Sequence, residues 1–363
     1  MNELDRARKI INETDREMAE LFERRMEAAA SVAAYKKERG LPVYDAEREA
    51  EVVRRNTGYI KDASLTGYYS DFITHTMKIS RDYQTALISG ISVAYSGIEG
   101  AFASVAAKRL FPGGALRPCP DFAEAYRSVT DGECDAAVLP IENSFAGEVG
   151  AVIDLIFNGP LYINDVYALT VRQNLIGRRG ADEHTIKKVV SHPQALSQCA
   201  DFIRAHGYET EEYSNTALAV RYVSTLDDPA VGAIGTEEAA ELYGMSVICR
   251  SINTGLDNTT RFAVLSRRKN DAEHSGDRFF LVFSVKNQAG ALAEAINIIG
   301  GHGYNMSALH SRPMRGLPWQ YYFYIEGEGD IMSPDGRAMM DELSAICDKL
   351  RLVGSYKGGR GSV

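Results

Sequence analysis

Leu4, Ala7, Ile11, Met18, Leu21, Ala28, Val32 and Tyr35 recur at alternating spacings of three and four. That period marks one stripe of an α-helix, and it predicts a single amphipathic helix through most of residues 1–39. Such a helix is roughly 55 Å long. A chain with only short helical partners cannot cover both of its sides, so pairing with a second copy is expected. Position 25 falls on the stripe and is an arginine. Lys36 follows eleven residues later, about 20° round the helix and roughly 16 Å along it.

The segment Arg39-Gly40-Leu41-Pro42 breaks this helix. A second helix is expected from about Asp45, as N-cap or first-turn acid, and a third from about Ser64 to Leu87. On the second, Asp45, Arg48 and Glu49 share a face. On the third, Ser80 and Gln84 interrupt a stripe marked by Ile73, Met77 and Leu87. Singly, each polar residue fits a register-setting position in a coiled coil or a solvated face. Together they place polar groups on the packing faces of three consecutive helices. Unpaired buried charge is costly, so a small anionic ligand that satisfies them is the more economical reading.

From Ile91 the period changes. ISVAYSG, DAAVLPIENS, IKKVVSH and AVGAIG are short β-rich runs that alternate with helical segments such as FASVAAKRLF and ALSQCADFIRAHG. This is α/β patterning, in which ligand groups collect at the carboxyl ends of strands. Polar residues 268–277 read as a linker. Beyond them FFLVFSV, a helix from Ala289 to about Gly301, NMSALHSR, WQYYFYIEG, a helix from Ser333 to Leu350 and RLVGSYK give the ferredoxin-like order βαββαβ.

At 363 residues the chain is long enough for two or three domains. A net charge of -9 and a pI near 5.4 argue against a general nucleic-acid binder. No secretory signal or apolar run long enough to span a membrane is visible. The five cysteines lack any CxxC pair and read as reduced thiols of a cytoplasmic protein. The seven histidines show no ligand spacing, and neither a metal nor a cofactor is expected.

The run RKIINETD from Arg8, then ERR ending at Arg25, YK ending at Lys36, VYDAERE over 43–49 and SRDYQ over 80–84 resembles the all-helical class of chorismate mutase. The resemblance implies an interlocked dimer. It also implies Arg8, Arg25 and Ser80 on the carboxylates of chorismate, Lys36 and Gln84 on its ether oxygen, Glu49 with Asp45 on its ring hydroxyl, and Arg48 as a buttress. A Claisen rearrangement suits such a set, because it needs only a folded substrate and donors aimed at an oxygen gaining negative charge. Arg8 lies about 25 Å from Arg25 along one helix, so it is expected to serve the partner copy's site.

YSGIEGAF (95–102), LPIENSFAGEVG (139–150), SHPQALSQC (191–199) and NTTRF (258–262) in this order resemble prephenate dehydratase, which implies two α/β lobes around a cleft, like a periplasmic solute-binding protein. By that resemblance Thr260 donates to the departing ring hydroxyl, Arg261 holds a carboxylate, Glu142 is a candidate proton source, and Asn143, Ser144 and Phe262 line the cleft. The family often carries hydroxyl residues where this chain has Ala101 and Ala103, which opens the choice between prephenate and its amino analogue arogenate. The last segment resembles an ACT domain, a regulatory amino-acid-binding fold. Its signature residues are Gly290, Ala291 and Leu292, with Ser311, Arg312 and Pro313; phenylalanine is the implied effector, and His310 stands where many members have glutamate.

The implied organisation is therefore a three-helix mutase domain (1–89), a two-lobed dehydratase domain (91–267) and a regulatory α+β domain (278–356). The expected protein is a bifunctional, cofactor-free, homo-oligomeric enzyme of phenylalanine biosynthesis. Two other readings stand beside it. One is a two-lobed amino-acid sensor without dehydratase chemistry. The other, a mutase fused to prephenate dehydrogenase, requires a Gly-rich dinucleotide loop, and the sequence has none.

Overall fold

The computed structural model describes residues 2–255, 258–270, 276–314, 316–359 and 361–362. They form two compact units, Met1–Ser92 with Gly113–Ala115, and Val93–Pro112 with Leu116–Val363.

The first unit is helical. Helix α1 runs Glu3–Arg39, α2 Ala46–Thr57 and α3 Thr66–Ser89. Asn2 and Asp5 form a capping box at the start of α1, and Gly40, in the left-handed region at φ 62°, closes it. Asp45 caps α2 through the Arg48 amide at 3.0 Å. The stripe of α3 is buried through its middle, with Ile73, Met77 and Ser80 inside, while Leu87 near its end is exposed. The long helix is different. Of its 37 residues only Ala29 and Ala33 are buried, while Ile10, Ile11 and Leu21 are each more than half exposed.

The second unit contains three sheets. Strands β1 (Ser92–Ser96), β2 (Ala115–Cys119), β3 (Ala136–Asn143), β4 (Gly147–Glu148) and β5 (Tyr162–Thr170) belong to a first lobe. The chain then builds a second lobe from β6 (Asn174–Gly177), β7 (Lys188–Ser191), β8 (Glu209–Glu212), β9 (Val231–Gly235) and β10 (Ser246–Cys249), in the order β10-β6-β9-β7-β8. It returns as β11 (Thr259–Ser266), inserted antiparallel between β5 and β3 of the first lobe. Two crossings therefore join the lobes, and the motif NTTRF begins at the second.

Four further strands, β12 (Arg278–Val285), β13 (Asn305–Pro313), β14 (Tyr321–Glu328) and β15 (Cys347–Tyr356), form a sheet in the order β13-β14-β12-β15, which is the ferredoxin-like arrangement. The two helices of this fold, Ala291–Gly301 and Pro334–Ile346, pack on one face through Phe279, Leu281, Phe283, Ile299, Ile325 and Leu343. The other face is also covered. Phe280, Val282, Tyr322, Tyr324, Val353 and Tyr356 share one core with Val152, Ile156, Leu161 and Ile163 of the first lobe, and Phe157 stacks on Tyr322 at 3.7 Å.

Helix ends shift by about two residues at several places, and two elements differ more from the sequence reading. The last helix ends at Ile346 rather than Leu350, because residues 347–350 pair with β12 from Cys347 opposite Val285 onward. The segment ALSQCADFIRAHG is two short helices, Pro193–Gln198 and Ala200–His206, meeting at Cys199. Of the expected linker, residues 271–275 lie outside the described residues.

Candidate active sites

In the helical unit the stripe of α3 brings Ser80 against α1. The Arg25 guanidinium donates to the Ser80 hydroxyl and, at 3.4 Å, to the Thr76 carbonyl. Partial burial depresses the Arg25 pKa. Gln84, one turn further along α3, has its side-chain oxygen buried with no partner among the described residues. Lys36 donates to the Val43 carbonyl at 2.6 Å, where the chain turns from α1 into α2. Glu49 is held by Arg81 of α3, a pairing absent from the sequence reading although SRDYQ contains the arginine. Arg48 pairs with Glu51 at 2.6 Å on the exposed side of α2.

Arg8 is not gathered to this group. It lies exposed on α1 in a shallow depression with Asp5, Lys9, Asn12, Glu13 and Arg16. Helix geometry separates it from Arg25 by about 25 Å.

In the two-lobed part, β3 and β11 pair with Asn143 opposite Thr260 and Glu142 opposite Arg261. Successive strand residues face opposite sides. Asn143, only 8% exposed, donates from Nδ2 to Thr260 Oγ1 at 2.9 Å and to Asn258 Oδ1 at 2.8 Å. Its Oδ1 accepts from the backbone amides of Phe145 and Ala146 at 3.0 and 2.9 Å. Those two bonds fix which end of the amide is the donor, so Thr260 must act as acceptor toward Asn143. Its own O–H hydrogen is then left to be donated elsewhere. The Ser144 hydroxyl accepts from the Thr259 amide at 3.0 Å, pinning the 143–146 turn to β11.

Arg261 and Glu142 stand on the other face. Their guanidinium and carboxylate meet at 3.0 Å, and Arg261 also grips Glu326 of β14 with bonds of 2.7 and 2.5 Å. Arg261, expected to hold a carboxylate, and Glu142, expected as a proton source, thus lie on the face opposite Thr260 by strand alternation and are each other's partner. Phe262 is likewise not a lining residue. It is 2% exposed and packs in the first-lobe core with Val93, Tyr95 and Val105.

The lobes meet across the first motif. Gly100, at φ 88°, lies where an added Cβ would come within 3.0 Å of the Ala239 backbone, and Thr236 donates to the Gly100 carbonyl at 2.6 Å. Ala101 is the N-cap of helix Phe102–Leu110, which therefore has no side-chain cap, and Ala103 is buried in the first-lobe core. At the crossings, buried amides link the chain to itself. Asn253 accepts from the Gln173 amide at 2.9 Å, and Gln173 donates to Gln198 at 3.3 Å. Asn258, 6% exposed, has an Nδ2 with no partner among the described residues. Asn258 and Gln198 lie inside the NTTRF and SHPQALSQC motifs, where an amide flanking a strand end is the sequence signal that marks them.

Among the expected effector residues, Gly290 is the left-handed N-cap of helix Ala291–Gly301, whose first residue Ala291 is buried, and Leu292 packs toward the third-sheet core. Ser311 and Pro313 are exposed on β13. Arg312, between them, points the other way and binds Asp154 at 2.7 and 3.2 Å and Glu148 at 2.9 Å on the first lobe. It is therefore an anchor of the sheet to that lobe. His310 stacks on Tyr324 and approaches Glu148 at 3.3 Å.

Among the described residues no cluster of three metal-ligating side chains occurs, and no helix is long and apolar enough to cross a membrane.

Comparison with known proteins places two families on the chain: chorismate mutase type II over residues 7–85 and prephenate dehydratase over residues 93–270. A bifunctional chorismate mutase/prephenate dehydratase from Neisseria gonorrhoeae is 30% identical over 356 residues, covering 96% of this chain and 95% of the relative. Among solved structures, GqqA, described as a quorum quenching acylase, is 30% identical with a TM-score of 0.69, over 74% of this chain and 98% of that one. The Arthrobacter aurescens prephenate dehydratase in complex with L-Phe is 28% identical with a TM-score of 0.68, over 74% and 90%.

Proposed function

The chain belongs to the bifunctional chorismate mutase/prephenate dehydratase family, an isomerase joined to a carbon–oxygen lyase of phenylalanine biosynthesis, and from that premise we propose how its residues divide the work. In the helical unit Arg25 and Ser80 hold one carboxylate of chorismate; their hydrogen bond to each other supports this pairing. Lys36 leaves the Val43 carbonyl and, with the Gln84 amide, donates to the ether oxygen as its bond to carbon breaks. Glu49, set by Arg81 and assisted by Asp45, accepts from the ring hydroxyl. Arg48 buttresses α2, and the partner copy's equivalent of Arg8 completes the site in an interlocked dimer. The bare apolar stripe of α1 supports that dimer.

In the two-lobed part prephenate loses its ring carboxylate as carbon dioxide; the electrons of that bond aromatise the ring and expel the ring hydroxyl. Thr260 donates a hydrogen bond to the departing oxygen, Asn143 orients Thr260, and Asn258 presents its buried N–H to the substrate. The single observation carrying this assignment is the Asn143–Thr260 bond, whose polarity leaves the threonine hydrogen to donate. A threonine hydroxyl stabilises the leaving oxygen as a donor without acting as a strong acid. The third sheet is an ACT domain that binds phenylalanine between Gly290-Ala291-Leu292 and the exposed side of β13, and restrains the dehydratase reaction; the L-Phe complex of a structural relative supports this.

The test follows both products. Full-length protein is given chorismate at neutral pH without nicotinamide or metal, and prephenate and phenylpyruvate are assayed separately, with and without phenylalanine. Phenylpyruvate formation slowed by phenylalanine is the expected outcome. Prephenate accumulating unchanged removes the dehydratase assignment, and arogenate is then the substrate to try at the same site.

A further inference from the structure

Glu326 is the least expected residue in the second unit. It is a carboxylate at 2% exposure on β14, in phase with the buried Tyr322 and Tyr324, so it points from the third sheet into the first lobe. There it receives both terminal nitrogens of Arg261 and the Tyr356 hydroxyl of β15. Burial alone would raise the Glu326 pKa, but Arg261 holds it below the usual carboxylate range. Burial would lower that of Arg261, and Glu326 holds it up. The pair is ionised and matched on both sides.

The far end of this pair is the catalytic strand. Arg261 follows Thr260 directly on β11 and bonds across to Glu142, which precedes Asn143 on β3. The backbone ladder is irregular at this point: Arg261 opposes Glu142 but Phe262 opposes Pro140, so Ile141 bulges out of the pairing. A bulge disrupts the ladder and bends the strand. The Arg261 side chain therefore staples β11 to β3 on the reverse face, at the step where the backbone ladder does not.

We propose that Glu326, with Tyr356, is a positioning residue of the dehydratase site: acting through Arg261, it sets the bulge that aims Thr260 and Asn143. The inference rests on the Thr260 assignment above, and it makes the third sheet part of the catalytic geometry. The Claisen reaction in the helical unit has no share in this relay.

The experiment uses the full chain with three single variants, Glu326→Gln, Tyr356→Phe and Thr260→Val. Dehydratase kcat and KM for prephenate are measured, with chorismate rearrangement in the same sample as the internal control and near-ultraviolet circular dichroism as the check on packing. Glu326→Gln keeps the shape and removes the charge. It is expected to lower kcat about tenfold, or about 1.4 kcal/mol in the barrier, with KM within about twofold. Tyr356→Phe is expected to lower kcat about threefold. A purely structural role would reduce the folded fraction and leave kcat per folded molecule unchanged, and that result overturns the proposal. If Glu326→Gln does not fold, Tyr356→Phe decides alone: unchanged kcat in folded protein refutes the relay. Thr260→Val separates the two claims, because its retaining full kcat would remove the Thr260 assignment whatever Glu326 does.

Discussion

The two candidate sites are built in opposite ways. In the helical unit the polar groups come from single positions scattered along three helices, and α1 carries most of its apolar residues in the open. In the two-lobed part the groups come from adjacent residues on paired strands, and Asn143 has its bonds completed by the same chain. A helix-built site is sparse in sequence, and here its longest helix buries only Ala29 and Ala33. A strand-built site is contiguous in sequence, but every second residue belongs to the opposite face.

The sharpest test of this division is to silence one site at a time. Lys36→Ala is expected to lower chorismate rearrangement about a hundred- to a thousandfold, the cost of losing one donor to a developing oxyanion, with prephenate turnover unchanged. Thr260→Val should do the reverse, lowering phenylpyruvate formation from prephenate about a hundredfold while rearrangement continues. If either change lowered both rates, the two sites would not be independent.

A smaller effect probes the need for a second copy. Replacing Ile11 and Leu21 together by Glu puts two charges on the bare stripe of α1. Sedimentation should show a shift to smaller species, and mutase activity should fall about tenfold or more at low protein concentration, more charged surface being incompatible with a buried helical seam. Full mutase activity in a monomer would break the comparison, since the site would then be complete in one chain.

The smallest effect is a pH dependence in the third sheet's helical layer. His302 bonds Asp335 at 2.9 Å and Glu342 at 3.3 Å, and the Asp335 bond, ahead of the Glu342 one, raises its pKa. A histidine raised in the folded state contributes stability that is fully present below its unfolded pKa and is lost as pH rises through the folded value. His302→Asn should therefore lower the melting temperature at about pH 5.5 and leave it nearly unchanged at about pH 8.5. Equal losses at both values would show that the ring matters by packing alone.

Much of the helical unit was legible because a 3–4 period exposes its exceptions. Arg25 and Ser80 interrupt two stripes, and two interrupted stripes that pack together bring the exceptions into contact. Arg81 was harder to see, since one arginine among several on a polar face has no signature. In the second unit the motifs mark Asn143 and Thr260, but a motif is contiguous in sequence while a strand deals the residues of TTRF to alternate faces. Glu326 also left a trace. In YYFYIEGE it sits in phase with Tyr322 and Tyr324, and a charge in phase with buried aromatics announces a buried partner. The helix after Ser333 ended early because pairing with β12 outweighed the local helical pattern, and such competition is settled by tertiary contacts.

The aromatic face of the third sheet has a consequence for how this protein comes apart. Phe280, Tyr322, Tyr324 and Tyr356 lie in the same core as the helix Gly150–Asn158 and strand β5 of the first lobe. The polar stretch before residue 278 marks a joint in the sequence, but heat or denaturant meets one continuous apolar interior on either side of it. Lobe and sheet should therefore melt in one cooperative transition, and a cut at the joint would leave two fragments that still cling together.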